Sequence, residues 1–495
     1  MAATTGMTAQ RRNQALVAGG LTIAAGLAAA PLANLGMKGL AVVVAAAVIV
    51  AGLFAFRDRA LWLMFLTVAG LQFMLHKTFG PIDGAISSGA PALYVTSLDL
   101  FVVLLYAHWW WEGGLVRDVR RAYRPLLLLP LLPIAGSLLS LPAAENVGDA
   151  FAEILRMAWM AALFLYLAVR VTTRRDVIAV LAGLAAVALV QGVIVVLQWL
   201  THGHLGLSFL GEDPGLYVRN LNEGVLRRPA GTAIHPDILA ALTGPIGLVA
   251  LALALNLKDT RARLACLAAA AAAFVPLVLS ETRGAIAATG IAGLLLVGIA
   301  LAAGRLRWSF VLVPLPFLGL AVWYFWPLIQ RKVIDNFQTT QFQQEITARL
   351  QLNDVAFRMV HEHPIAGVGL NNFMAVFEQY NPYGVLYPGY PAHDLYLIVF
   401  AETGALGLLA LLAVLAGVLL LGLRLARAGD RLLSGLGLGV AAMVLFYLLE
   451  ELFSFSLRAD GPLALFWMLG GLAAGCAQTL PHRVSNAPEA PRRAN

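Results

Sequence analysis

An all-α, polytopic membrane fold is the architecture this sequence predicts, and three observations predict it. Of 495 residues, 60% are hydrophobic and only 12% are charged, roughly half the charge a soluble domain carries. Apolar runs near twenty residues recur from end to end, among them 40–56, 125–141, 177–200 and 285–303. Each is long enough to cross a hydrocarbon core of roughly 30 Å. The ten-residue alternation of outer-membrane strands is absent. Counting spans by length and hydropathy gives about 12–14 transmembrane helices.

The first apolar run follows Arg11 and Arg12 with no small-residue cleavage site, so it reads as a retained helix rather than a removed signal peptide. Residues 1–200 are then a set of N-terminal transmembrane helices with nothing distinctive beyond hydropathy. Residues 201–425 form a second region, interrupted by polar connections near 201–236 and 326–392. Residues 426–495 supply C-terminal transmembrane helices and a short polar tail. Within the longest connection, Gln341 to His361 reads as a helix, with Phe342, Ile346, Leu350 and Phe357 at loosely helical spacing. Pro364 ends it, and a glycine-rich turn, "HPIAGVGLNNF", follows. A loop this long, apolar and aromatic is expected to pack back over the helices as a lid or wall. Cys266 and Cys476 fall in predicted helices and read as small apolar residues, not as a disulfide or metal pair.

Charge gives the sidedness. Alternate connections are rich in basic residues, as at Arg57 and Arg59, Arg117 to Arg124, Arg170 to Arg175, Lys258, Arg261 and Arg263, Arg305 and Arg307, and Arg424 to Arg431. With both termini these hold 22 of the 34 lysines and arginines. The positive-inside rule places both ends in the cytoplasm and the longer connections on the periplasmic or external side.

Basic residues on that outer side are therefore informative. They are Arg219, Arg227 and Arg228, Arg283 in "LSETRGAIAATG", and Arg331, Lys332, Arg349 and Arg358. Each could simply be solvated or snorkel to lipid phosphates. Arg283 is held between two apolar runs at a membrane boundary and must face protein, water or an anionic ligand rather than lipid. Several guanidiniums gathered in one cavity would form a fork-shaped receptor for phosphate or pyrophosphate. His393 stands just before an apolar run beside Asp394, with Glu402 further on; a capping or hydrogen-bonded histidine is the plain reading, a titrating group the sharper one. His235 is followed by Pro236 and Asp237, which is helix-start chemistry. His361 and His363 alone make a poor metal site.

Four stretches in order resemble the O-antigen ligase and polymerase superfamily. "RPAGTAIHPDILAALTGPI" resembles its R-x-x-G-x-x-x-H/N-P-N/D segment, and "LSETRGA" is similar to its S-R-G-A element. "ARLQLNDVAFRMVHEHPIAGVGLNNF" resembles its R-x-x-x-W…P-x-x-G-x-G-x-x-x-F element, and "AHDLYLIVFAETGALGLL" its H-N-x-Y-L…E-x-G-x-x-G element. Two departures stand out: Asn353 where the family often has tryptophan, and Asp394 where it often has asparagine. The resemblance implies a glycosyltransferase in the bacterial inner membrane with its active site facing the periplasm. The implied donor is a glycan on undecaprenyl pyrophosphate, and the implied acceptor, for a ligase, is lipid A-core. No cofactor, metal or nucleic acid is implied. Carried over by motif, the base of an inverting reaction is His393, and the pyrophosphate-binding arginines are Arg228, Arg283 and Arg349.

The chemistry suits these residue types. Substitution at an anomeric carbon needs a hydroxyl nucleophile, a proton acceptor and a stabilised leaving group. Undecaprenyl pyrophosphate leaves readily, and its growing charge needs either a metal on carboxylates or fixed guanidiniums; the outer segments carry no D-x-D pair. Losing one preorganised donor of this kind costs on the order of 3 kcal/mol of barrier. A histidine with a pKa near 6.5 is neutral often enough at pH 7 to accept a hydroxyl proton. Asp394 or Glu402 could orient the ring, but a sequence neighbour points elsewhere on a helix, so a carboxylate from another segment is preferred. Rival readings are a polysaccharide polymerase, a protein O-oligosaccharyltransferase, or a transporter of lipid-linked oligosaccharide. A transporter should show repeat-related halves or broken helices near the bilayer midplane.

Overall fold

The computed structural model describes residues 37–73, 75–79, 89, 93–122, 124–213, 218–221, 224–307, 340–384 and 391–485. The expected first helix after Arg12, Arg331, Lys332, and the side chains of Arg219 and Arg227 lie outside the described residues. The chain divides into two compact units, Met1–Arg59 and Ala60–Asn495. In the first, the apolar run expected at 40–56 is a helix, α1 (Met37–Ala55), whose last turn accepts Arg59 Nε at the Leu53 carbonyl, 3.2 Å.

The second unit carries nearly everything else. It runs α2 (Arg59–Ala69), a hairpin of β1 (His76–Phe79) and β2 (Leu93–Thr96), then α3 (Ser97–Trp111), α4 (Leu115–Arg121), α5 (Arg124–Leu128), α6 (Leu131–Ser140), α7 (Val147–Arg170) and α8 (Arg174–Thr201). A second hairpin, β3 (Val218–Leu221) and β4 (Gly224–Arg227), precedes α9 (Pro236–Asn256), α10 (Thr260–Leu279) and α11 (Arg283–Ala302). After the undescribed segment come α12 (Thr340–Glu362), α13 (Phe377–Tyr380), α14 (Leu395–Ala426), α15 (Arg431–Glu450) and α16 (Asp460–Ser485). Both hairpins are antiparallel.

Among the described residues eight helices are long and apolar enough to cross a membrane: α7 to α11 and α14 to α16. The chain is a multi-pass helical membrane protein. The expected 12–14 spans include runs outside the described residues. They also include 125–141, which folds as two short helices, α5 and α6, because Pro130 and Pro133 withdraw N–H donors from the ladder.

Helix starts are written in capping residues. Thr96 and Thr173 form capping boxes with Asp99 and Asp176, and Asn146, Asp259, Asp394 and Asp430 each accept a backbone N–H with the side chain. The centre of the bundle is α9, α15 and α16, whose apolar windows are 83, 78 and 89% buried, whereas α10 and α11 bury 28 and 33% and turn the rest outward. Arginine-rich connections of the second unit meet at one end. There Arg174 pairs with Asp430 at 3.1 Å, and both Arg305 and Arg431 reach Asn256. Every candidate site residue lies at the opposite end.

Candidate functional site

His393 sits one residue before the cap of α14. Its neighbours Ala392 and Leu395 are buried, and its ring meets Phe455 edge-on at 5.6 Å between centroids. The position is held from both sides. Asp394 Oδ1 accepts Leu397 N at 3.0 Å, and Leu395 N donates to the carbonyls of Glu451 and Ser454, each 3.0 Å away. Burial, then the Arg349 guanidinium, push the imidazole down to about 4, against the opposing pull of Asp237 and a hydrogen bond to the Pro391 backbone. The ring is therefore neutral at pH 7.

The two carboxylates nearest in sequence have partners of their own. Asp394 is a helix cap, a task asparagine performs as well; this accounts for its replacing the family's asparagine without a chemical role. Glu402 is fully buried and accepts Arg458 Nη2 at 2.5 Å. Asp237, on a separate helix, is the carboxylate whose field acts on the ring.

The glycine-rich turn and α14 explain one another. Gly404, at φ +65 and ψ −168, breaks α14, and this leaves carbonyls above it without their helical partners. Those of Ala401 and Glu402 accept Val368 N and Gly369 N, both at 2.9 Å, while Ala405 N donates to Pro364 O. A Cβ at Gly404 would lie 2.1 Å from Ile365 O, and one at Gly367 2.3 Å from the Glu402 carbonyl carbon. Only glycine permits this approach. The break is plugged by protein, as non-helical backbone inside a membrane protein must be. It fixes the α12 end of the long connection against the His393 helix.

α12 matches the predicted helix closely, but its buried face differs from the expected stripe. Leu352, Val355, Ala356 and Met359 are buried against Phe373 and Ile398. Ile346, Leu350 and Phe357 are 37 to 64% exposed, and the Phe342 side chain lies outside the described residues. Both stripes have helical spacing, and only the docking partner selects between them. Arg349 is exposed on α12, near enough for its charge to depress His393.

Arg228 pins the second connection to the α10–α11 junction. Its Nε donates to Ser280 O at 2.7 Å, and its Nη2 to Asp237 Oδ1 at 2.7 Å and Thr282 Oγ1 at 2.9 Å. Thr282 Oγ1 also donates to Asp237 Oδ1 at 2.7 Å. Two of the three guanidinium nitrogens are thus committed to the protein. Arg283 follows Thr282 as the first, half-buried residue of α11. His235 caps α9, its Nδ1 accepting Asp237 N at 3.0 Å, and burial lowers its pKa. The structure therefore gathers His393, His235, Asp237, Arg228 and Arg349, with Arg283 covalently beside the Arg228 junction. His363 Nε2 lies 3.1 Å from the Tyr380 hydroxyl. Among the described residues no three of His, Cys, Asp and Glu are grouped to hold a metal ion.

Sequence reasoning missed the α15–α16 connection entirely. Ser456 Oγ lies 2.8 Å from Glu450 Oε2 and 2.5 Å from Glu451 Oε1, and burial together with Glu450's charge raises the Glu451 carboxyl well above the usual range. Arg458 joins Glu402 to Glu153 Oε1 at 3.3 Å. Glu153 also pairs with Arg156 at 2.5 Å, and Arg156 reaches Asp460 at 3.3 Å. Glu153 and Glu402 are fully buried, and both arginines are 6% exposed. A buried charge is retained only with partners. Arg458, outnumbered by apolar neighbours in "ELFSFSLRADG", was the one available signal.

A family model described as O-antigen ligase matches residues 267–412. That match covers 146 of the 495 residues, and over this stretch the chain is similar to the O-antigen ligase family. The matched stretch holds Arg283, Arg349 and His393, the glycine turn and the α14 break. It stops short of Arg458 and begins after Arg228. No curated protein matches the chain.

Proposed function

We propose that this protein transfers a glycan from undecaprenyl pyrophosphate to lipid A-core at the periplasmic face of the bacterial inner membrane, with inversion at the anomeric carbon. The observation that supports the proposal is that Arg349 lies near enough to His393 to act on the imidazole, at the end of the bundle where Arg228 braces the residue before Arg283. A hydroxyl of the acceptor attacks the anomeric carbon, and its proton passes to neutral His393. The glycosidic carbon–oxygen bond to pyrophosphate breaks, and that oxygen leaves with the bonding electrons as undecaprenyl pyrophosphate. Arg349 and Arg283 stabilise the growing charge there, and Arg228 contributes its remaining nitrogen while holding the α10–α11 junction. Without a donor, an imidazole at about pKa 4 is a weak base. The anionic donor opposes Arg349 and raises it, so the base strengthens only once the donor is bound.

The α14 break supports this reading over transport, since the backbone of the glycine-rich turn takes up its freed carbonyls instead of leaving them to line a path. The test mixes purified protein, undecaprenyl-linked glycan and rough lipopolysaccharide, with and without a chelator. Lipopolysaccharide should gain the glycan in both, and His393→Ala should reduce transfer by at least ~10²-fold. Glycan growth on the lipid carrier instead would make the protein a polymerase; full activity of His393→Ala would remove the histidine from the mechanism.

A further inference from the structure

A second cavity lies at the same end of the bundle, walled by residues that the family match does not cover. Its volume is about 250 Å³, and its lining includes Gln72, Tyr94, Ile234, Ile238, Arg458 and Asp460. That is just under the roughly 300 Å³ at which drug-sized sites begin, a size suited to a single sugar ring. Three observations set it apart from a packing defect. Gln72 is 4% exposed; its Nε2 donates to Ala69 O at 3.0 Å, which fixes the amide orientation, while its Oε1 has no hydrogen-bond partner. Such a group normally finds one. Ile234 is a β-branched residue at φ +66, a conformation that costs of order 1–3 kcal/mol and persists only where its surroundings impose it. They do: Thr232 Oγ1 donates to Gln72 O at 2.6 Å, Gln191 Nε2 donates to Thr232 Oγ1 at 2.5 Å, and Gln198 brackets Gly231 through both its N–H and its carbonyl. Third, the Tyr94 hydroxyl donates to Asp460 Oδ1 at 2.8 Å, placing an aromatic ring and a carboxylate on the same wall.

We infer that this cavity is a binding site for a neutral, hydroxyl-rich ring: a sugar unit of the acceptor. Gln72 Oε1 is an acceptor without a partner, and the Asp460 carboxylate, whose Oδ1 already takes Tyr94 and Arg156, adds further acceptor capacity; both call for O–H donors. Leu71, Ile234, Ile238 and Leu242 match the C–H face of a pyranose. Arg458 does not make the site anionic-selective, because Glu153 and Glu402 already neutralise it. The assignment of the sugar to the acceptor rests on the transferase reading; the binding of a sugar does not.

The experiment measures binding of core oligosaccharide, freed of lipid A by mild acid, to purified detergent-solubilised protein by saturation-transfer NMR. Inorganic pyrophosphate and choline serve as competitors. Wild-type protein should bind the oligosaccharide, with neither competitor displacing it. Gln72→Leu should weaken binding about tenfold, yet leave thermal stability unchanged or higher, because it deletes an unsatisfied buried acceptor; a merely structural glutamine would lower it. Ile238→Trp, which fills the cavity, should abolish binding. The inference fails if wild-type protein does not bind, if both variants bind normally, or if pyrophosphate or choline competes. Binding that persists in a protein unable to transfer glycan would overturn the transferase reading and leave the sugar site standing.

Discussion

The acid limb of the rate profile is the most direct reading of the His393 environment. The ring of the protein alone lies near pKa 4 against an ordinary value near 6.5. That difference of roughly 2.5 units is about 3.4 kcal/mol against protonation. At pH 7 only about one site in a thousand carries the imidazolium. Because the folded value is depressed, the unfolded chain takes up the proton first, and stability from this group is lost as pH falls from about 6.5 to about 4. The kcat/KM for donor reports the free enzyme. It should stay flat from about pH 8 to 5 and halve near 4. The kcat limb reports the loaded enzyme and should lie higher, since bound pyrophosphate raises the ring. Arg349→Gln should move the kcat/KM limb upward, toward 6.5 but short of it, because burial, the larger cause, remains. The assay is initial-rate transfer of glycan to rough lipopolysaccharide across a buffer series at constant ionic strength. A free-enzyme limb near 6.5 that Arg349→Gln does not move would refute the argument.

Three further outcomes follow from the surrounding structure. Arg458→Met should destabilise the protein by about 3–5 kcal/mol, the usual cost of stranding a buried charge, and Glu402→Gln in the same chain should restore part of it; a thermal-shift series on the four variants decides, and additive losses would contradict the pairing. Gly404→Ala should fail to accumulate as folded protein, since its Cβ would lie 2.1 Å from Ile365 O, whereas Gly429→Ala, where a Cβ meets open space, should express normally on size-exclusion chromatography. Asp394→Asn should leave stability and transfer within a few tenths of a kcal/mol of wild type, while Asp394→Ala should cost about 1 kcal/mol of stability through the lost cap.

Much of this was legible in the sequence where the signal is local. The boundaries of α12, the capping role of His235 and the order of the family motifs all come from spacing within a few residues. What was not legible depends on contacts between distant segments. The choice between the Ile346–Leu350–Phe357 stripe and the Leu352–Val355–Met359 stripe needs the partner surface. The duty of Glu402 needs Arg458, 56 residues on, and Glu153 is 305 residues from the same arginine. The first outer hairpin carries no motif, yet Tyr94 meets Asp460 across 366 residues. Arg228 shows a mixed case: its placement beside an outer helix start was readable, but not that Ser280, Asp237 and Thr282 would already hold two of its nitrogens.

The buried ion cluster also sets a timetable for synthesis. Glu153 and Arg156 stand one turn apart and neutralise each other as α7 emerges, so that helix can enter the bilayer without help. Glu402 has no such local companion; its counter-charge is translated only after α15 has been made. Until Arg458 arrives, α14 must carry an ionised or protonated glutamate at the rim of the bilayer. A chain stopped before residue 458 would therefore be a natural target for membrane quality control.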